Sequence, residues 1–118
     1  MFLNTSSLGY IKDYSQQEKV IIFKHSTACP VSAGAYQRLQ EGIEQKSLSF
    51  PVYIVIVQDQ RPLSNEIAED LHVKHESPQC IVLEKGKAIL VLNHNNITVG
   101  AILGEDSLSK GHTVCPIT

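Results

Sequence analysis

A chain of 118 residues is long enough for one modest domain and too short for two independent cores. Its 42% hydrophobic and 19% charged content are those of an ordinary globular protein, and a net charge of -2 gives no electrostatic ground for nucleic acid or a membrane surface as partner. The start, Met1–Ser7, has no basic residues leading into an apolar run, and no stretch approaches the ~20 apolar residues of a membrane span, so a cytoplasmic protein is expected.

In chain order, Asn4 or Thr5 is placed to cap a first helix running to about Gln16, with Leu8, Ile11 and Tyr14 on one face and Gly9 weakening it. Val20–Phe23 reads as a buried strand that ends at a Lys24-His25 turn. A helix then begins at Pro30, which suits a first helical position because its missing N–H would have no partner there. Ala33, Ala35, Tyr36, Leu39 and Ile43 are its expected core face, and Pro51 helps mark the break after it.

The run from Val52 to Val57 is β-branched and aromatic throughout, the pattern of a strand covered on both faces, either the central parallel strand or its neighbour. Arg61-Pro62 opens a short amphipathic helix with Leu63, Ile67, Ala68 and Leu71, closed by Val73. Cys80–Glu84 and Ala88–Leu92, joined by Lys85-Gly86-Lys87, predict an antiparallel hairpin. Asn95 or Asn96 is placed to cap a last helix ending near Leu103. The order predicts an α/β domain over residues 1–104, a central four-stranded mixed sheet flanked by helices, in which a parallel β-α-β unit is extended by the hairpin. Residues 105–118 lack periodicity and are expected to form a flexible tail.

Three cysteines, Cys29, Cys80 and Cys115, are an odd, widely spaced set that argues against a disulfide framework or a zinc site. None of the five histidines forms a helical His-x-x-x-His pair, and His72 and His75 straddle an expected helix end, so no metal site is expected. Cys29 stands apart because it sits at a strand-to-helix junction. The first N–H groups of a helix have no intrahelical partner and, with the helix dipole, they stabilise a thiolate. Ser32 occupies the place of the second cysteine in a C-x-x-C redox pair, which makes the motif monothiol, C-x-x-S.

A cysteine opening the first helix of a β-α-β unit, with Ser77-Pro78 just ahead of a hairpin, resembles the thioredoxin fold. That resemblance implies a cis Ser77-Pro78 bond facing Cys29; the bland alternative is a trans proline at a strand entry. Two further blocks, Lys24-His25-Ser26-Thr27-x-Cys29-Pro30-x-Ser32 and Arg61-Pro62-x-Ser64-Asn65 with His75-Glu76-Ser77-Pro78-Gln79, are similar to the monothiol bacilliredoxins, redox proteins of the bacillithiol system, over residues 3–104.

The bacilliredoxin resemblance implies that Cys29 is the nucleophile that removes bacillithiol from mixed disulfides on other proteins, with bacillithiol as co-substrate and no resident cofactor. Thr27, Pro30 and Ser32 would stabilise the thiolate, and Lys24 or His25 would add positive charge. His25, Ser77, Pro78, Asn95 and Asn96 would contact substrate, although Asn95 and Asn96 equally suit a helix cap and Arg61 a solvated charge. The partners expected are bacillithiolated proteins and a low-molecular-weight thiol, with no nucleic acid or membrane; the sequence leaves the oligomeric state open and a monomer is favoured. Cys80 reads as an inert core thiol or, alternatively, a resolving one, and Cys115 as a tail thiol or a mobile resolver. Two rival functions share the motif: a monothiol-glutaredoxin-like carrier of an iron–sulfur cluster, and a non-catalytic adaptor.

Overall fold

The computed structural model describes residues 2–104, so the tail and Cys115 lie outside the described residues. Its elements are α1 (Leu8–Tyr14), β1 (Val20–His25), α2 (Pro30–Glu44), β2 (Val52–Ile56), α3 (Arg61–Leu71), β3 (Gln79–Glu84), β4 (Lys87–Asn93), a 3-10 turn (His94–Asn96) and α4 (Val99–Leu103). The strands form one mixed sheet in the order β2-β1-β3-β4. β1 is parallel to β2 and antiparallel to β3, and β4 completes the hairpin. β2 is therefore the neighbour of the central strand and lies at one edge of the sheet, where Leu3 adds a single parallel bridge to Tyr53.

Alternation along β1 divides the core into two layers, as the two-residue side-chain period of a strand requires. Ile21 and Phe23 pack with Ala35 and Leu39 of α2 and Ile102 of α4. Val20 and Ile22 point the other way, into Leu8 and Ile11 of α1 and Leu63 and Ile67 of α3. Each such buried aliphatic side chain contributes about 1.5–3 kcal/mol, which is why a single sheet covered on both faces suffices at this chain length. The β3–β4 connection is a two-residue turn in which both Lys85 (φ 53°) and Gly86 (φ 78°) are left-handed, the geometry that matches the twist of a hairpin.

Four expectations need correction. β1 does not stop at Phe23: Lys24 and His25 belong to the strand and are buried, because β2 pairs with it as far as His25 and β3 as far as Lys24. α1 is capped by Ser7, whose side chain accepts from the Tyr10 N–H, because Leu3 is held extended against β2 and the chain turns only afterwards. On α2 Ser32 faces the core together with the expected Ala35, while Ala33 faces solvent. α4 is capped by Thr98, not by Asn95 or Asn96, since residues 94–96 are consumed by the 3-10 turn.

Candidate active site

Cys29 is the N-cap residue of α2, with Pro30 following at the helix start. Its backbone is extended (φ -114°, ψ 122°), its carbonyl accepts the first helical bond from Ala33 N–H at 3.0 Å, and its side chain makes no capping bond. Cys29 is half-buried, and it stands at the helix end whose first N–H groups the helix itself cannot satisfy. The loop leading to it is tied down by Gln58. Its Nε2 donates to Ser26 Oγ at 2.9 Å and its Oε1 accepts from Thr27 N–H at 3.3 Å. Gln58 carries no motif signal and was not singled out by sequence; only the parallel pairing of β1 and β2 brings it to the loop.

Ser32 is completely buried one turn into α2. Its Oγ accepts from Ser26 N–H at 2.9 Å and lies 2.7 Å from His25 Nδ1, so it braces the loop against β1. Among the described residues no hydrogen bond reaches the Cys29 sulfur. The His25 ring is stacked near Phe23 (5.5 Å between centroids) and near Tyr36 (5.0 Å), and Phe2 closes on Tyr36 at 4.8 Å. Burial pushes the His25 imidazole below its ordinary pKa, which favours the neutral ring over a cation. Beside this stack opens a cleft of about 670 Å³, lined by Phe2, His25, Thr27, Tyr36, Ile54 and Ile56 among others.

The register of β1 and β3 sets Gln79 opposite Lys24, which brings Ser77 and Pro78 level with the end of β1 from which the loop departs toward Cys29. The Ser77–Pro78 peptide bond is cis. The Pro78 carbonyl accepts from His94 N–H at 2.9 Å, so the 3-10 turn carrying the exposed Asn95 and Asn96 adjoins the proline. Arg38 Nε donates to Ile97 C=O at 2.8 Å and fastens the end of that turn to α2. Cys29, Ser77-Pro78 and the Asn95-Asn96 turn thus gather at one end of the sheet, while Arg61 is exposed at the start of α3.

The comparisons with known proteins agree with this geometry. The family model described as monothiol bacilliredoxin BrxC matches residues 3–102. This chain belongs to the monothiol bacilliredoxin family. A solved structure described as a proposed oxidoreductase with a thioredoxin fold is similar over 86% of this chain and 90% of its own, with 31% identity and a TM-score of 0.76. Thioredoxin from Plasmodium falciparum (17% identity, 91% and 98% covered, TM-score 0.65) shares the fold. So does a structure from work on thiol resolution in a yeast mitochondrial 1-Cys peroxiredoxin (18% identity, 90% and 93% covered, TM-score 0.66). The fold is that of thioredoxin, and family and fold together support a redox function.

In this bacilliredoxin the second described cysteine has a different environment. Cys80 is fully buried on β3, between Phe23 and Leu92 across the strands, and burial pushes its thiol up to about 12. Burial thus holds it as a neutral thiol within the core. Among the described residues no group of three or more His, Cys, Asp or Glu is arranged to hold a metal ion, and no helix is long and apolar enough to cross a membrane.

Proposed function

We propose that this bacilliredoxin is a monothiol thiol-disulfide oxidoreductase that removes bacillithiol from protein mixed disulfides, with Cys29 as nucleophile. The observation that carries the reading is a half-exposed N-cap cysteine with an uncommitted sulfur, followed three residues later by a buried serine whose hydroxyl is engaged elsewhere. The Cys29 thiolate attacks the bacillithiol sulfur of the mixed disulfide. A new disulfide forms between Cys29 and bacillithiol, the old one breaks, and the protein leaves as a thiolate that takes its proton from water. A second low-molecular-weight thiolate then attacks the bacillithiol sulfur on Cys29, which regenerates the Cys29 thiolate and releases a small-molecule disulfide.

Ser32 supports this monothiol course because it offers no second sulfur, so the release step is intermolecular. The bend at Ser77 and the cis Pro78, at the end of the sheet that carries Cys29, offer backbone groups to a bound protein substrate. The test is the intact mass of a bacillithiol-capped protein before and after incubation. Wild type should uncap it and gain the mass of bacillithiol on Cys29, and Cys29→Ser should do neither. An uncapping rate equal in wild type and Cys29→Ser would overturn the reading.

A further inference from the structure

On the sheet face away from α2, at the Cys29 end, three neighbouring strands place polar side chains side by side. Lys24 of β1 is in register with Gln79 of β3, and Gln79 with Asn93 of β4. Lys24 and Gln79 are completely buried, although their neighbours along β1 and β3 on that face, Val20, Ile22, Ile81 and Leu83, are aliphatic. A buried ammonium is costly unless its donors are met, and among the described residues Lys24 has no ion pair to meet them. Its Nζ instead donates to the Ser64 carbonyl of α3 at 3.0 Å and lies 3.1 Å from His75 Nδ1.

An ammonium has donors only, so Nδ1 of His75 must accept and the imidazole proton resides on Nε2. Gln79 Nε2 meanwhile donates to the Lys74 carbonyl at 2.9 Å and to Asn93 Oδ1 at 3.0 Å. Two consecutive residues of the loop, Lys74 and His75, are therefore each gripped by one member of the row. Two residues further on stand Ser77 and Pro78. We propose that the row Lys24–Gln79–Asn93 is the clamp that fixes segment 74–78 at the site, which makes Lys24 and His75 positioning residues for thiol exchange at Cys29. This inference rests on the exchange reading for its kinetic consequence and on the Lys24–His75 bond for its physical one.

The clamp is sensitive to protons. Burial pushes the Lys24 ammonium down to about 8, so it is charged at neutral pH. His75 is held below its ordinary pKa first by burial, then by the Lys24 and Arg61 charges, while Glu76 acts in the opposite sense. Around the pair stand Ser64 and Arg61 from α3, Gln79 and Asn93 from the sheet, and Lys74 and Glu76 from the loop. Glu76 is itself 3.4 Å from His94 and 3.8 Å from Lys74. Protonating His75 removes the only acceptor it offers Lys24 and sets two cations 3.1 Å apart, so the clamp opens as pH falls.

The test compares Lys24→Met, His75→Leu and His75→Asn, the last keeping an acceptor where Nδ1 stood. With a bacillithiol-capped protein as substrate, Lys24→Met and His75→Leu should raise KM about tenfold, the equivalent of one lost hydrogen bond to a charged group, with kcat within threefold. Alkylation of Cys29 by iodoacetamide, which needs no groove, should stay within twofold. His75→Asn should restore KM and abolish its rise between pH 7 and 5. Nitrogen-15 spectra should show His75 with an unprotonated Nδ1 in wild type, and titration of the ring back toward the ordinary histidine value in Lys24→Met. An unchanged KM in His75→Leu, an exposed-loop variant that does not depend on refilling the core, would overturn the clamp. So would KM and alkylation worsening together. If wild type uncaps no substrate, the exchange reading fails on its own while the nitrogen-15 titration still decides the Lys24–His75 bond.

Discussion

Lys24 and His25 are consecutive, buried and on one strand, yet they serve opposite sides of the sheet. His25 points toward α2, where a neutral ring packs against Phe23 and Tyr36 and meets the Ser32 hydroxyl that braces the Cys29 loop. Lys24 points toward α3, where a charge meets a carbonyl and an imidazole in front of the Ser77-Pro78 segment. One partner of the disulfide chemistry is thus steadied mainly by packing and the other by polar bonds. A ring lost from the first side leaves a void, whereas an ammonium exchanged for a methionine on the second relieves a desolvation penalty as it removes hydrogen bonds.

The largest expected effect therefore lies on the α2 side. His25→Ala should lower unfolding free energy by about 3 kcal/mol in urea titration, from the lost ring volume and the loss of one of the two partners of the buried Ser32 hydroxyl, with His25→Phe recovering about half. Lys24→Met should stay within about 1 kcal/mol of wild type. Equal losses for His25→Ala and Lys24→Met would break the contrast.

The tightness of the α2 side can be sharpened further with its glycines. A Cβ at Gly42 would lie 2.6 Å from Val99 Cγ2 and 3.4 Å from Leu48, so Gly42→Ala should cost about 1–3 kcal/mol as α4 is pushed away. At Gly34 the nearest atom is the end of the flexible Arg38 side chain at 3.4 Å, so Gly34→Ala should gain about 0.5–1 kcal/mol of helix propensity. Thermal melts of the two variants should shift in opposite directions.

Alkali separates the two sides by sign, whereas acid weakens both. His25 and His75 are both depressed, so the folded protein takes up fewer protons than the unfolded chain once pH drops below the ordinary histidine value of 6.5, and stability falls on acidification. His25→Phe should lessen that fall. Lys24 is depressed as well, so stability rises between about 8 and its ordinary value of 10.5, and Lys24→Met should remove the rise. Cys80 works against this, since its raised pKa makes stability fall from its ordinary 9.0 upward to about 12, and Cys80→Ala should expose the lysine contribution. Denaturant midpoints across pH 5 to 10.5 are the measurement. A comparably small effect belongs to Ser7→Ala, which should cost about 1 kcal/mol through the α1 cap and leave Cys29 alkylation unchanged.

Much of the site was legible because its chemistry is local. A cysteine ahead of a proline, after an apolar run, marks a helix start whatever surrounds it, and a serine three residues on excludes a C-x-x-C pair. The hairpin was equally readable from Lys85-Gly86 between two apolar runs. Lys24 and His25 were misplaced in a turn because a charged pair after Phe23 looks like a strand end; only pairing to β2 through His25 and to β3 through Lys24 carries the strand on. His75 and Gln79 were visible as parts of a motif but not as partners of Lys24, which lies 51 residues before His75. Gln58 gave no signal at all.

The sequence by itself determined the element order, the helix starts at Pro30 and Arg61-Pro62, the monothiol character of the motif and the kinship to bacilliredoxins. Those properties follow from side-chain period, proline geometry and residue identity, which are written in neighbouring positions. The tertiary structure alone decided that Lys24 and His25 are buried on opposite faces, that Ser32 braces the loop, and that Cys80 is sealed in the core. Burial and hydrogen-bond partnership depend on which distant strands and helices come into register, and no local pattern carries that information.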